Sequence, residues 1–434
     1  MPGVFLSRGA YRPGPRSPAP SSRAYDVMDF SLRCGAQLMA RGAAAVDVES
    51  AVHAAAVTLG LDEVEVDVTY NAITLTAVDQ EQTVAASRVI RQGAPDYRRL
   101  TQIHHLLTDV VTAGLALGLA RAELERIESQ PRAYGLLPIL LANGVLAGAV
   151  ALSLGAGWLV AAAAALTGVV IIWLGHLLAS PRIPAFFLAA LGSLIAVGAA
   201  AGLTALEAPV RPSLVVAASI VVLLPSVALV GSVRDALVGF PLTATGRAVD
   251  GIVLVAGLVT GVLIALSIAG AVSLDMEIVP VDEGWRVDIV LRALAGSVAA
   301  AAAAVVYQAP RRLLPAAMVI GGVGFLVARG VDTHVDQPIL AVGSAAVVVG
   351  AAAGLAAART RTLSLVFVVP GIIPLLPGLA IYRGSLLLSA GDTVEGLVVL
   401  LDSAVRMMAL AAGALFGEIL VSGLRVRRSA DEPD

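Results

Sequence analysis

The sequence predicts a membrane α-helical protein: about ten transmembrane helices arranged as a 5+5 inverted repeat, with a small N-terminal α+β cytoplasmic domain. Three observations predict it. Of the 434 residues, 58% are hydrophobic and only 14% charged, with a mean hydropathy of +0.88; soluble domains sit near half apolar and a quarter charged. Ten apolar stretches follow residue 135, most of them close to the ~20 residues that cross a ~30 Å hydrocarbon core. Finally, one stretch of the membrane part matches another that lies five spans later.

Composition also excludes function classes. All 29 basic residues counted as Lys+Arg are Arg, so the chain holds no Walker A motif, no Schiff-base lysine and no lysine general base. Neither the net charge of −3 nor any basic face points to nucleic acid. Cys34 is the only cysteine, which rules out an intrachain disulfide and a Cys-rich metal site. No cofactor is called for. Residues 1–27, rich in Pro, Arg and Ser, lack the apolar run of a signal peptide and read as a disordered cytoplasmic tail.

Residues 28–134 form the expected cytoplasmic domain. MDFSLRCGAQLMARG (28–42) and DVESAVHAAAVTLG (47–60) have helical apolar spacing and each closes on a Gly, at Gly42 and Gly60. EVEVDVTY, AITLTAVD and TVAASRVI then alternate apolar and polar residues, which predicts three short strands. DYRRLTQIHHLLTDVVTAG returns to helical period and LARAELERIES adds a charged helix, giving ααβββαα. His53, His104 and His105, with Asp109 and Glu49, are its only acid–base or metal candidates. His104 and His105 are adjacent on a helix and point to different faces, and neither HExxH nor a GxSxG elbow is present. The domain therefore reads as a regulatory or oligomerising module, with a homo-oligomer one outcome.

The apolar spans run over 136–155, 158–178, 184–205, 213–231, 249–270, 288–307, 313–328, 337–357, 362–382 and 398–423. They divide into a five-helix unit over 135–271, a second over 287–424 and a tail over 425–434. Span 313–328 is short, and the ninth is Pro-rich. Alternate loops hold Arg182, Arg234, Arg247, Arg311, Arg312, Arg359, Arg361 and, in the tail, Arg425, Arg427 and Arg428. The other loops hold only Arg211, Arg286, Arg329 and Arg383, together with Asp275, Glu277, Asp282, Glu283, Asp332, Asp336, Asp392 and Glu395. The positive-inside bias puts the first set, and both termini, in the cytoplasm. Gly and Ala crowd the spans, as close helix packing in lipid favours.

Residues 223–264 align without gaps on 375–416: Leu223, Leu224 and Pro225 match Leu375, Leu376 and Pro377. Ala228 matches Ala380, Gly239 matches Gly391, Asp250 matches Asp402 and Gly261 matches Gly413. An offset of five spans makes the halves cross the bilayer in opposite senses, an architecture of secondary transporters that bind substrate between broken helices. The ninth span supplies such a break in Pro370, Gly371, Pro374, Pro377 and Gly378, and Pro225 with Ser226 is its counterpart in the fourth. Each proline deletes a backbone donor and frees a carbonyl, predicting either a kink or an unwound segment that lines a cavity.

Ionisable groups inside spans are expensive and mark pathways by default. Asp250 and Asp402 are expected at the starts of the fifth and tenth spans, as helix N-terminal acids or as pathway groups. Asp402 and Arg406 are spaced i, i+4 for an internal pair, as are Asp288 and Arg292. Glu418 shows no local partner in the sequence and is the candidate for proton coupling. Arg234 and Asp235 are expected in the loop after the fourth span and Arg383 after the ninth, as anchors of orientation or as groups for a substrate carboxylate.

LMARGAAAVDVESAVHAAAVTLGL, with Gly42, Glu49 and Gly60, RVIRQGAPDYRRLTQIHHLLTDV, with Arg88, Gly93 and Leu100, LLPSVALVGSVRDALVG, with Pro225, Arg234 and Asp235, and VVPGIIPLLPGLAIYRG together resemble the threonine/serine exporter family. The resemblance spans about residues 28 to 424. It implies a cytoplasmic α+β domain joined to two five-helix units. It further implies export of L-threonine and L-serine across the bacterial plasma membrane, driven by the proton motive force. Ser226 departs from the Pro-Gly of the family's first unit. Some relatives are split into two subunits and linked to dicarboxylate export, so an exporter of succinate is the alternative. A membrane-embedded hydrolase or a channel stands outside the transporter class; His176, the only histidine in a span, gives a hydrolase little to work with.

Overall fold

The computed structural model describes residues 22–79, 82–91, 93–180, 182–272, 289–335 and 337–431. Asp275, Glu277, Asp282, Glu283, Arg286, Asp288 and Asp336 lie outside them, as do the side chains of Arg425, Arg427 and Arg428.

The N-terminal domain has the expected ααβββαα order: α1 (Ser22–Ala40), α2 (Ala45–Thr58), β1 (Asp62–Val68), β2 (Ala72–Asp79), β3 (Gln82–Val89), α3 (Tyr97–Ala113) and α4 (Leu117–Ser129). Helix α1 starts earlier than expected, because Ala24 and Val27 continue its buried stripe. The strands pair antiparallel in the order β1-β2-β3. Alternation along β2 turns Ile73, Leu75 and Ala77 inward toward α1, in one apolar core with Phe30, Cys34 and Leu38 of α1 and Leu100 and Ile103 of α3. Asp96 caps α3 by accepting from the Arg99 amide at 3.0 Å, and Gly114 ends it in the left-handed conformation at φ 64°.

The membrane part holds α5 (Leu136–Ser153), α6 (Trp158–Leu178), α7 (Ala185–Ala205), α8 (Pro212–Ile220), α9 (Ser226–Leu237) and α10 (Pro241–Ala271). After the undescribed 273–288 come α11 (Ile289–Val306), α12 (Leu314–Val335), α13 (Pro338–Thr360), α14 (Leu365–Ile372), α15 (Gly378–Ser389) and α16 (Thr393–Asp431). Eight helices are long and apolar enough to cross a membrane, and two bent pairs bring the number to ten if each pair is one span. Leu141, Leu166, Phe187, Ile252 and Leu401 face outward from these helices. A soluble protein would bury such residues; here they form the wall that lipid solvates. The short span expected at 313–328 is a full-length helix, since α12 continues through ARGVDTHV beyond the apolar run.

The fourth and ninth spans are broken. A 3-10 turn over Val221–Leu223 follows α8 and one over Ile373–Leu375 follows α14; the axes then bend by 60° and 48°. The matched residues have matched geometry. Leu224 and Pro225 sit at φ/ψ −70/132° and −80/59°, and Leu376 and Pro377 at −64/139° and −81/52°. Helices α9 and α15 begin 152 residues apart (378 − 226), as do α10 and α16 (393 − 241). Gly239 and Gly391, the paired glycines that close α9 and α15, are both left-handed at φ 96° and 92°. Gly261 of α10 and Gly413 of α16 again play one part: each is pressed on the backbone of a neighbour, at Ala190 of α7 and Gly343 of α13.

Candidate functional site

Helices α8 and α14 are buried along their whole length, and the broken spans cross there: α15 packs on α8 and α10, and α9 on α16. Gly378 fits because it has no Cβ, which would come 2.8 Å from the Ala217 carbonyl oxygen of α8. Its partner position, Ser226, points its hydroxyl at Tyr307 Oη, 2.8 Å away. The departure at Ser226 thus leaves the break's geometry intact; the glycine of the second half answers a close approach, while the serine of the first has a polar neighbour. Pro370 and Gly371 lie inside α14, Pro374 in the 3-10 turn, and Pro377 at the head of α15. One cavity of about 450 Å³ lies on the N-terminal domain beside Arg33 and Arg88, and another of about 450 Å³ at that domain's junction with the membrane part. Neither is lined by the prolines or by Gly371, Ser226 or Gly378.

Four expectations for charged residues are corrected. Arg234 and Asp235 are not in a loop: they sit in the last turns of α9 and are drawn into the junction with the N-terminal domain. Arg383 likewise lies within α15, exposed, 3.9 Å from Glu395. Asp250 and Asp402 do not start their helices, because α10 begins at Pro241 and α16 at Thr393, and a helix-dipole effect fades within the first turn. Asp250 instead accepts a hydrogen bond from the Tyr70 hydroxyl; burial, then that carboxylate, push the Tyr70 phenol up. Asp402 and Arg406 do pair, at 2.5 Å. Glu418 is not partnerless: Ser364 donates to it at 2.6 Å and Arg234 lies 3.3 Å away.

Arg234 joins three parts of the chain. Its guanidinium lies 3.3 Å from Glu418 of α16 and 3.4 Å from Asp47 of α2, and it donates to Ser364 before α14 at 3.3 Å. One residue on, Asp235 is wholly buried; it accepts from the Ala45 amide at 2.8 Å and lies 3.2 Å from Arg247 Nε. Arg247 closes the ring by donating to the Ala43 carbonyl at 2.5 Å. Buried charges persist only when paired in this way. Helix ends add more contacts: the first amides of α3, Tyr97 and Arg98, donate to the Tyr307 and Gln308 carbonyls beyond α11 at 2.9 and 3.1 Å. Asp47, Arg247, Ser364 and Tyr307 escape sequence reasoning as site residues, because their partners are distant in the chain; Asp47 alone carries a signal, as the acid in the first turn of α2. Among the described residues no group of three His, Cys, Asp or Glu could hold a metal.

Broken spans among eight apolar helices, with an N-terminal domain locked beneath them by buried ion pairs, define a multi-pass membrane protein. The sequence pattern of the threonine/serine exporter family matches residues 29–269, and a second pattern for threonine/serine exporters matches residues 292–420. The chain is 32% identical over 413 residues to a protein of Mycobacterium tuberculosis named "Probable threonine/serine exporter", covering 92% of this chain and 77% of that one. It is 29% identical over 436 residues to the "Threonine/serine exporter" of Corynebacterium glutamicum, covering 97% and 88%. The chain belongs to the threonine/serine exporter family. No solved structure matches it.

Proposed function

We propose that the chain exports L-threonine and L-serine across the bacterial plasma membrane in exchange for protons. The observation that carries this reading is the pair of breaks at Pro225 and Pro377, alike in dihedral angles, hydrogen bonding and distance to the next helix. Two five-span halves in opposite senses present these breaks to one path between them, as secondary transporters do. Both termini are cytoplasmic: the N-terminal domain sits at the helix ends that carry Arg234, Arg247, Arg312, Arg359 and Arg361. The substrate passes Pro225, Ser226, Pro370, Gly371, Pro374, Pro377 and Gly378, and Arg234, Asp235, Asp250 and Arg383 stand near the two ends of the path. Glu418 carries the proton, with the Asp402–Arg406 pair further along α16. When Glu418 is neutral, Arg234 loses one of its two carboxylate partners and keeps Asp47 and Ser364; the proton is thereby coupled to the half that bears α9.

Counterflow in proteoliposomes tests this with labelled threonine, serine and succinate, each with and without a pH gradient. Threonine and serine flux that follows the gradient is expected, with Glu418→Gln lowering it at unchanged protein abundance. Succinate exchange alone makes the protein a dicarboxylate exporter. Flux indifferent to the gradient, or to Glu418→Gln, refutes the coupling.

A further inference from the structure

Where α3 meets the membrane part, a cavity of about 450 Å³ is lined by His105 and Asp109 from α3 and by Arg312, Arg359 and Arg361 from the ends of α12 and α13. These arginines differ from the others at the junction. Arg234 and Arg247 have carboxylates within 3.4 Å, and Arg311 lies over the Tyr134 ring. Among the described residues, Arg312, Arg359 and Arg361 have no carboxylate within 4.0 Å. Three cations against one acid leave two uncompensated positive charges (3 − 1) around a single space, and they repel one another. His105 adds a second, independent sign: its Nε2 is buried and has no hydrogen-bond partner among the described residues, which leaves it open to a ligand. Anchoring of orientation by arginine requires only that the charges lie on one side of the membrane. It does not require them to converge on a cavity with an unsatisfied imidazole.

We propose that this cavity binds a phosphoryl anion and that the bound anion holds the N-terminal domain to the membrane part. Guanidinium forks match phosphate oxygens in pairs, and an anion with three oxygens can engage several of them together with His105. The cavity volume lies in the range of small-ligand sites. Its only apolar side chain is Leu313 and no Phe, Tyr or Trp lines it; the guanidiniums suit an anion better than an apolar body, which favours a phosphomonoester or a lipid headgroup. Asp109 opposes binding. The site is separate from the broken spans and does not rest on the transport reading.

The test uses the full chain in a phosphate-free maltoside detergent, with thermal unfolding followed on addition of inorganic pyrophosphate or of phosphatidylglycerol. A rise in melting temperature is expected with at least one of them. Each single Arg→Gln substitution at 312, 359 or 361 should weaken the apparent affinity by about tenfold, as lost charge-assisted hydrogen bonds do. Asp109→Asn should tighten binding about threefold, and added salt should weaken it. A response to phosphatidylglycerol alone assigns the site to a lipid headgroup; a response to pyrophosphate that added phosphatidylglycerol does not abolish assigns it to a soluble ligand. The proposal is overturned by a melting temperature that neither probe moves, by a response that survives the triple substitution, or by an Asp109→Asn protein with unchanged affinity. The last result does so even if the triple variant fails to fold.

Discussion

Asp235→Asn is the sharpest probe of the junction, because it deletes a charge and almost nothing else. Asp235 is 0% exposed and the Arg247 side chain 6%, so the substitution strands a guanidinium where water does not screen it. The asparagine can still accept from the Ala45 amide, which isolates the electrostatic part of the change. Removing one partner of a buried pair costs about 3–5 kcal/mol, or roughly a hundredfold to several thousandfold in the equilibrium between docked and released N-terminal domain. The pair Arg88–Asp29 is the internal control: it has a similar length, 2.9 Å, but both side chains are 43% exposed. Pairs of that kind are worth about 0–1 kcal/mol, and Arg88→Gln should be nearly silent. Limited proteolysis of the connection after α4, alongside thermal unfolding in detergent, reads both effects. Arg247→Met should resemble Asp235→Asn, and the double variant should recover much of the loss, since no lone charge then remains. Equal behaviour of Asp235→Asn and Arg88→Gln would refute the view that burial makes this pair structural.

Three further outcomes follow from particular residues. Gly378→Val forces a Cβ to within 2.8 Å of the Ala217 carbonyl and should cost about 1–3 kcal/mol in thermal unfolding, while Ser226→Gly should lose about 1 kcal/mol with its hydrogen bond to Tyr307; a harmless Gly378→Val would show that α15 and α8 do not cross there. Burial holds the His104 imidazole below its ordinary value of 6.5, partly opposed by Asp47. The unfolded chain therefore takes up a proton that the folded one resists, so this group's contribution is intact above about pH 6.5 and is lost as pH falls through the folded value. Denaturation midpoints across that range should drop more steeply in the wild type than in His104→Gln.

What the sequence revealed and what it hid follow a physical division. Local rules located the N-terminal elements to within a few residues at most ends: alternation in AITLTAVD and the glycines at 42 and 60 are written in neighbouring residues. The breaks at Pro225 and Pro377 were legible because proline acts on its own helix. Apolar windows failed where a spanning helix runs on into polar sequence. PLTATGRAV of α10 looks like a loop by hydropathy, yet it is helical because Thr243 donates to the Val68 carbonyl and Gly246 admits the Tyr70 ring. That extension is what moves Asp250 away from the helix start. The junction was illegible for another reason. Ala45 and Asp235 are 190 residues apart, and nothing in either segment announces the other; Arg247 passed as an orientation signal and Glu418 as a lone acid.

The arrangement around Arg234 bears on how the parts can move. One side chain, carried by α9, touches α2 of the N-terminal domain, α16 and the start of α14. These contacts are short and directional, between 3.3 and 3.4 Å to the two carboxylates, so displacements of about an ångström are enough to weaken them. If α9 shifts against α16, Arg234 cannot keep both Glu418 and Asp47. Either the N-terminal domain follows α9, or it loses an ion pair beside the buried Asp235–Arg247 couple. The domain is therefore mechanically tied to the relative position of α9 and α16, through an arginine of α9 whose partners lie on α16, just before α14 and on the domain itself.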